Sequence, residues 1–467
     1  MAYQSVNPFS GEKSQAFAEL SDAALEERLA RAHECYRADW RKRSIAERSS
    51  IAGKVAARMR ERKEELARLL TVEMGKRISE ARWEVGLSAD IFGYYAEHAA
   101  AFLEPRQLEI QTGSAQVESE PLGILFGVEP WNFPYYQLAR FAAPNLVAGN
   151  VLLVKHASIV PQCALAFEKV LRDAGVPDGA YGNLFISKKQ IEVIIADPRI
   201  QGVALTGSEE AGQSVAKLAG ASLKKSTMEL GGSDAFIVLD DADLGLAVKM
   251  AVAGRFGNAG QSCVAAKRFI VVEPVAKAFL EAFTAQVEAL VSGDPLDEAT
   301  TLAPLSSVGA LEHLLEQVNK AIKGGARVAC GGKRLDRPGA FMSPTILTNI
   351  TRGNPVFHEE LFGPVALFFV VPDEQAAIAL ANDSPFGLGG SVFCRDLERA
   401  ARVARQIETG MVFINETTST APELPFGGVK NSGYGRELSE LGISEFLNKK
   451  LIRTGATKRP TQAHAGG

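Results

Sequence analysis

A cysteine in an unusual setting is the first candidate for chemistry. Cys263 ends the segment GNAGQSC at residues 257–263, where small and polar residues replace the large apolar neighbours typical of a structural cysteine. A thiol in an irregular loop of this kind can act as a nucleophile. Because a lone cysteine is more often structural, the local sequence leaves both interpretations open.

Two other side chains could assist a nucleophile. Glu229 lies after an apparent strand and shortly before a glycine pair, so its carboxylate could serve as a general base. Asn132 lies in the turn PWNFP at residues 130–134, where two prolines would hold its amide in place to donate to a developing oxyanion. The alternatives are a solvated strand end for Glu229 and an ordinary turn asparagine for Asn132.

The segment LTGSEEAG at residues 205–212 has the pattern of a strand, a glycine turn and a helix. Unpaired N–H groups at such a helix start can bind a pyrophosphate group. The segment is not a Walker A loop, since Gln213 and Ser214 stand where that motif needs Lys followed by Ser or Thr. It also lacks the GxGxxG pattern of dinucleotide-binding folds.

Together, these segments resemble the aldehyde dehydrogenase superfamily across about residues 5–455. The resemblance rests on motifs that occur in one order: PWNFP at 130–134, the turn at Lys155, TGS at 206–208, ELGG at 229–232, GQSC at 260–263, EELFGP at 359–364, PFGG at 425–428 and GRE at 435–437. It implies an α/β fold with a Rossmann-type cofactor domain, a catalytic α/β domain and a small β oligomerisation element. A homodimer or homotetramer is therefore expected.

The resemblance also implies catalytic roles. Cys263 would attack an aldehyde carbon as a thiolate, and the oxyanion would lie between the Asn132 amide and the Cys263 backbone N–H. After hydride transfer to a nicotinamide, Glu229 would activate the water that hydrolyses the thioester. Glu229 argues against the CoA-acylating branch, which typically lacks this acid. Since both Cys263 and Glu229 are present, a non-catalytic structural protein on the same fold is a remote alternative.

The resemblance further implies which residues contact the cofactor and the substrate. The implied cofactor-binding residues are Trp131, Lys155, Ser158, Gly207, Ser208, Leu230, Glu360 and Phe362, with Glu360 on the nicotinamide ribose and Phe362 lining the nicotinamide site. The implied substrate-binding residues are Arg140, Phe133, Ser419 and Thr420. No metal site is expected, because the six histidines show no metal-binding spacing.

Ser158 determines the expected cofactor. Many NAD-preferring members of the superfamily carry Glu at this position, three residues after the lysine that contacts the adenosine ribose. That Glu accepts a hydrogen bond from the free 2′-hydroxyl and would repel a 2′-phosphate, whereas a small, neutral serine leaves room for the phosphate beside Lys155. NADP is therefore the preferred cofactor in this interpretation and NAD a possible one; the alternative is that both are usable.

Arg140 determines the expected substrate. It stands eight residues after Asn132 on a predicted helix, a little over two turns, so both side chains can face one cleft. An arginine there could bind a carboxylate through two hydrogen bonds. Succinate-semialdehyde dehydrogenases carry Arg at this spacing, and the segments KHAS, ELGGSD and AAKRF resemble a bacterial branch of that group.

Two observations keep other substrates open. Some enzymes of that group have a second carboxylate-binding arginine where this chain has Gly257, and Arg255 is out of register. The expected substrate is thus succinate semialdehyde or a similar short aldehyde. The alternatives are a broad-specificity short-chain or hydroxyaldehyde dehydrogenase, and a surface salt bridge as the role of Arg140.

Composition excludes several other classes. With 467 residues the chain has room for roughly two or three domains. A net charge of -4 argues against a dedicated nucleic-acid binder. The apolar run at 365–371 is too short to span a membrane, and the N-terminus lacks the pattern of a signal peptide. Five dispersed cysteines favour a reducing cytoplasm.

The helices and strands that position these residues are predicted from the spacing of apolar residues and from capping residues. Helices are expected over 22–40, 45–74 and 80–103, with N-caps at Ser21 and Ser44, and strand–helix alternation from about residue 122. With the resemblance, this predicts a cofactor domain at 1–106 and 123–228, a catalytic domain at 229–425, an oligomerisation element at 107–122 and 440–455, and a loose tail at 456–467.

Overall fold

The computed structural model describes residues 3–455; the tail predicted at 456–467 lies outside them. Its α-helices are α1 (Asp22–Ala38), α2 (Ile45–Glu61), α3 (Lys63–Met74), α4 (Ile78–Phe102), α5 (Pro134–Ala148), α6 (Pro161–Asp173), α7 (Lys188–Ala196), α8 (Glu209–Ala221), α9 (Leu244–Phe256), α10 (Glu273–Glu288), α11 (Val308–Lys323), α12 (Glu374–Asn382), α13 (Leu397–Ala404) and α14 (Ser439–Ser444). Short 3-10 helices lie at Trp40–Lys42 and Gly257–Gly260.

The strands vary widely in length. They are β1 (Arg106–Leu108), β2 (Ser114–Pro121), β3 (Ile124–Glu129), β4 (Val151–His156), β5 (Tyr181–Asn183), β6 (Ile200–Thr206), β7 (Lys225–Glu229), β8 (Asp234–Val238), β9 (Ala266–Val272), β10 (Arg327–Cys330), β11 (Thr345–Thr348), β12 (Val365–Val371), β13 (Phe386–Gly387), β14 (Gly390–Phe393), β15 (Phe413–Ile414), β16 (Val429–Lys430), β17 (Gly433–Tyr434) and β18 (Leu447–Thr454).

The N-terminal helices begin where the sequence predicts. Ser21 caps α1, and Ser44 forms a capping box with Glu47, since each side chain accepts a backbone N–H of the other residue. The single helix expected over 45–74 is instead two, because Arg62 leaves helical geometry at φ -96° and ψ 17°. The guanidinium of Arg62 binds Glu65 in the next turn. Helix-favouring composition continues across this break, so the sequence pattern does not reveal it.

The first large sheet has the order β17-β7-β6-β3-β4-β5, parallel except for β17. The chain runs from β3 outward through β4 and β5, then returns to the other side of β3 as β6 and β7. The strand order therefore reverses between β3 and β6, and ligands of such sheets bind outside the carboxyl ends of the strands at that point. The predicted PWNFP and TGS segments follow these two strands.

The second large sheet has the order β10-β11-β12-β9-β8-β14-β15, parallel except for β10. Its apolar residues form a core separate from that of the first sheet. Cys263 lies in the loop that leads into β9, so the second domain presents it toward the first. Two α/β units of this kind confirm the predicted fold class.

A third sheet is small and antiparallel. Strands β1 and β2 form a hairpin, and β18 pairs with β2 along its whole length, from Leu447 opposite Pro121 to Thr454 opposite Ser114. Seven of the eight side chains of β18 are exposed. Within the predicted segment 440–455, α14 packs against α4 and α5, and the strand that joins this sheet starts at Leu447.

Among the described helices, none combines the length and apolar character needed to cross a bilayer. Residues 3–455 also contain no group of His, Cys, Asp and Glu side chains arranged to hold a metal ion.

Candidate active site

Two cavities meet at Cys263. One has a volume of about 530 Å³ and the other about 410 Å³, and Cys263 and Gln137 line both. Volumes of this size suit small-molecule ligands. A thiol at the junction can react with a molecule in one cavity while a second molecule occupies the other. We call the larger the cofactor-side cavity and the smaller the substrate-side cavity.

The cofactor-side cavity contains six of the eight predicted cofactor-binding residues: Trp131, Gly207, Ser208, Leu230, Glu360 and Phe362. It opens at the point where the strand order of the first sheet reverses. Ser208 caps α8 by accepting the N–H of Ala211 at 3.3 Å, so this helix N-terminus borders the cavity. Backbone N–H groups at such a terminus attract anionic groups.

The residues of this cavity fit a nicotinamide nucleotide. Trp131 and Phe362 pack edge to face with ring centroids 5.8 Å apart, and with Leu230 they supply apolar surface for a flat ring. The Glu360 carboxylate can accept hydrogen bonds from ribose hydroxyls. Leu230 also packs tightly on α8, since a Cβ on Gly212 would lie 2.5 Å from its side chain.

The other two predicted cofactor residues lie at the carboxyl end of β4, outside the walls of that cavity. Lys155 Nζ donates to the His156 carbonyl at 3.3 Å, and the Ser158 carbonyl accepts the N–H of Gln4 at 3.0 Å. Burial lowers the pKa of Lys155, and Lys188 lowers it further. Lys188, the first residue of α7, is thus a second cation near this position that sequence reasoning missed.

The substrate-side cavity is apolar with hydroxyl groups. Phe133, Ser419 and Thr420 all lie in its walls, as predicted, and Thr420 Oγ1 is 2.8 Å from the Tyr136 hydroxyl. Of the residues that line this cavity, none carries a positive charge. An aldehyde with a carboxylate tail would therefore meet hydroxyl groups rather than a lysine or arginine on these walls.

Asn132 is held next to the Cys263 loop. Its Nδ2 donates to the Gln261 carbonyl at 3.2 Å, and its other amide hydrogen remains for a second acceptor. Asn258 and Ala259 adopt left-handed conformations, with φ 51° and 52°, so the loop turns sharply before Cys263. The predicted oxyanion donor and the predicted nucleophile are thereby brought together from different domains.

Lys267 is a further site residue that the sequence analysis did not identify. Its Nζ donates to the carbonyls of Ser262 and Cys263 at 2.8 and 2.7 Å, and it pairs with Glu360 at 3.0 Å. It is 1% exposed. Lys267 therefore connects the nucleophile loop to the carboxylate predicted to bind ribose.

Burial raises the pKa of both the predicted nucleophile, Cys263, and the predicted base, Glu229. Burial raises the pKa of Cys263 to about 12; the Glu229 carboxyl adds to this shift, and Arg140 and Lys267 oppose it. Burial also raises the pKa of Glu229 well above its usual range, against the attraction of Arg140. The thiol must therefore be deprotonated during the reaction, and a carboxyl with a raised pKa can accept a proton near neutral pH.

The structure does not place Arg140 where the prediction of substrate binding needs it. Arg140 is 1% exposed and forms an ion pair with Glu437, in the GRE segment. It also donates to Thr206 Oγ1 at 3.2 Å and lies 4.5 Å from the Phe426 ring centroid. To bind a substrate carboxylate, its guanidinium would have to release a buried carboxylate. Arg140 therefore forms a salt bridge, as in the alternative interpretation, but this salt bridge is buried rather than on the surface.

Replacing Arg140 should therefore destabilise the protein. Arg140→Met leaves Glu437 buried without its partner, which should cost about 3–5 kcal/mol in the free energy of unfolding. The double variant Arg140→Met/Glu437→Gln should recover most of the loss. Denaturant titration measures the free energy of unfolding of both variants. Arg60→Met, which removes one member of an exposed ion pair, is the control. Kinetic losses should be equal for succinate semialdehyde and butanal; a loss confined to succinate semialdehyde would return Arg140 to the substrate site.

Comparisons with known proteins identify the family of the chain. The model of the aldehyde dehydrogenase family matches residues 1–452. A succinate-semialdehyde dehydrogenase (NADP+) of Deinococcus radiodurans is 52% identical over 464 residues, 99% of this chain and 97% of that protein. The chain therefore belongs to the aldehyde dehydrogenase family, as its motifs indicate.

Solved structures show the same similarity. Gox0499, studied for its selection of cofactor and substrate, is 56% identical with a TM-score of 0.97, covering 97% of this chain and 100% of that one. The succinic semialdehyde dehydrogenase of Streptococcus pyogenes, solved in complex with NADP+, is 46% identical with a TM-score of 0.96 and the same coverage.

Proposed function

We propose that this enzyme oxidises succinate semialdehyde to succinate with NADP as the hydride acceptor. The observation that carries the proposal is the meeting of two cavities at Cys263, one fitted to a nicotinamide nucleotide and one to a short aldehyde. Two similar proteins bear the name of this activity, and the one from Streptococcus pyogenes was solved with NADP+.

The chain's own residues account for the covalent steps. The Cys263 thiol gives its proton to solvent water and its Sγ bonds to the aldehyde carbon, while the carbonyl π electrons move to oxygen. The Asn132 amide and the Cys263 backbone N–H then stabilise the oxyanion. A nicotinamide held beside Trp131 and Phe362 would supply the hydride acceptor. As the hydride leaves this carbon, the oxyanion re-forms a carbonyl and Cys263 holds the product as a thioester.

Hydrolysis returns the enzyme to its starting state. Glu229 takes a proton from water as the water oxygen bonds to the thioester carbon. The C–S bond breaks, the carboxylic acid leaves, and Cys263 recovers a proton. Both Glu229 carboxyl oxygens are buried, and no side chain among residues 3–455 is hydrogen-bonded to them, so the carboxyl is available to a water molecule beside the Gly428 backbone N–H.

We further propose that hydroxyl groups bind the substrate carboxylate. Ser419 and Thr420 are the predicted candidates, and Ser262 lies in the same walls. Among the described residues, these walls carry no cationic side chain and include the Glu80 carboxylate, which favours one second candidate function, oxidation of uncharged short-chain aldehydes. Specificity constants for succinate semialdehyde and butanal, each with NADP and with NAD, decide between the two. The proposal requires the highest value for succinate semialdehyde with NADP; equal values for the two aldehydes would favour the alternative.

Ser158 should control the choice of cofactor. Ser158→Glu places a carboxylate near the 2′-phosphate and offers the 2′-hydroxyl an acceptor, so preference should shift toward NAD by roughly ten- to hundredfold. The ratio of the specificity constants for NADP and NAD measures this, and Ser158→Ala, which adds no charge, should change it much less. An unchanged ratio in Ser158→Glu would mean that this side chain does not face the ribose.

The proposal includes assembly and location. The exposed strand β18 at the edge of the small sheet is the surface we propose for pairing in a homodimer or homotetramer, since open strand edges favour association. The five cysteines are all free, which suits the reducing cytoplasm as the site of action.

A further inference from the structure

A buried ion pair supports the turn that carries Asn132. Lys76 and Glu84 are 1% and 0% exposed, and their side chains are in direct contact. Lys76 lies between α3 and α4, just after Gly75, whose φ of 83° ends α3, and Glu84 lies within α4. Both belong to the helical N-terminal region and are outside the walls of the two cavities.

The pair contacts two residues of this turn and the first turn of the helix that follows it. Lys76 Nζ donates to the Asn132 carbonyl at 2.8 Å and lies 3.6 Å from the Phe133 ring centroid. Glu84 Oε1 accepts the N–H groups of Tyr135 and Tyr136 at 2.8 and 3.2 Å. These two N–H groups belong to the first turn of α5, which has no capping side chain of its own, so Glu84 caps that helix from α4.

A second donor reaches the same carbonyl from the catalytic domain. Asn258 Nδ2 donates to the Asn132 carbonyl and to the Gln261 carbonyl, each at 3.0 Å. The Asn132 amide donates to that same Gln261 carbonyl. Lys76 thus fixes one end of a short network that links the oxyanion turn to the Cys263 loop.

Stability gives little reason for such a pair. Two buried charges cost desolvation free energy, and apolar residues of similar size often stabilise a fold equally well. The contacts of Lys76 and Glu84, in contrast, fix the backbone on both sides of Phe133. We propose that Lys76 and Glu84 are positioning residues that hold the Asn132 amide in the geometry required to stabilise the oxyanion. This inference rests on the role proposed for Asn132.

A double-mutant cycle tests the proposal. Lys76→Met/Glu84→Gln removes both charges together, so no unpaired charge stays buried. It should lower kcat by about ten- to hundredfold, as small misplacements of catalytic groups do, with the KM for NADP unchanged. Asn132→Ala should lower kcat by about 10²- to 10³-fold. Combining all three changes should give the rate of Asn132→Ala within about threefold, because there is no longer an amide to position.

Controls separate positioning from folding. The exposed pair Lys169 and Asp173 on α6 supplies the matched variant Lys169→Met/Asp173→Asn, which should keep the wild-type kcat. If the buried double variant does not fold, Glu84→Asp alone enters the same cycle, since it keeps the counter-charge of Lys76 but shortens the reach to the N–H groups of Tyr135 and Tyr136; its loss should also disappear beside Asn132→Ala. The inference would be overturned if the fold-losses in kcat of Lys76→Met/Glu84→Gln and Asn132→Ala multiply when the changes are combined. It would also be overturned if Lys76→Met/Glu84→Gln folds and keeps the wild-type kcat. A wild-type enzyme without aldehyde oxidation would instead overturn the proposed function.

Discussion

Cys263→Ser should abolish aldehyde oxidation while leaving the affinity for NADP nearly unchanged. An alcohol is a far poorer nucleophile than a thiolate, so the rate should fall on the order of 10³-fold or more. Cys263 borders the cofactor-side cavity, but the phosphate- and ribose-binding groups lie elsewhere on its walls. Steady-state turnover and fluorescence titration with NADPH measure the two effects separately.

The other cysteines supply the control for this result. Cys35 lies on α1, is buried, and burial raises the pKa of its thiol to about 11. Cys35→Ser should retain turnover within about twofold, as expected for a residue far from the chemistry. If Cys263→Ser kept more than about a tenth of the wild-type activity, the nucleophile would have to be another residue.

Glu229→Gln should slow hydrolysis of the thioester far more than its formation. The amide cannot take a proton from water, so steady-state turnover should fall by about 10²- to 10⁴-fold. A burst of NADPH close to one equivalent per active site should precede the slow phase, because the first hydride transfer does not need the hydrolytic water. Stopped-flow absorbance at about 340 nm records both phases. Loss of the general base should slow the second phase, which is limited by hydrolysis of the thioester.

The burst also distinguishes two roles of the carboxyl. Glu281→Gln, an exposed change on α10, should leave both phases as in the wild type. If Glu229→Gln slows the first turnover as much as the steady state, Glu229 acts before hydride transfer, for example by taking the thiol proton. The raised pKa of Cys263 makes that the specific competing explanation.

Much of the site could be predicted from the sequence, because its walls come from short contiguous segments. Trp131, Asn132 and Phe133 follow one strand, and Gly207 and Ser208 follow its neighbour in the sheet. In a parallel sheet the carboxyl ends of adjacent strands lie side by side. Local pattern plus strand order therefore brings these residues together.

What the sequence could not predict depends on contacts between distant segments. Arg140 faces Glu437 because α5 is buried on all sides, so the side chain has no route to solvent. Helical spacing predicts the direction of the Arg140 side chain. It does not predict whether the guanidinium meets a substrate carboxylate or the carboxylate of Glu437. No sequence pattern identified Lys76 and Glu84, since charged side chains are usually exposed.

In the fold, too, some features could be predicted from local sequence and others could not. The N-caps and the hairpin follow from local chemistry, whereas the break at Arg62 and the start of the last strand at Leu447 do not. Both involve contacts with distant elements: Arg62 pairs with Asp173 of α6 at 3.8 Å, and α14 occupies the surface of α4 and α5 just before β18. Tertiary packing therefore overrides composition at these two boundaries.

The most direct test is to identify the acylated residue in Glu229→Gln after one turnover. The variant is mixed with NADP and succinate semialdehyde, quenched in acid, digested and analysed by mass spectrometry. The account predicts a succinyl group on the peptide that contains Cys263 and on no other cysteine peptide, with the modification absent when NADP is omitted. A succinyl group on a different residue, or full formation of NADPH without any acylated peptide, would contradict it.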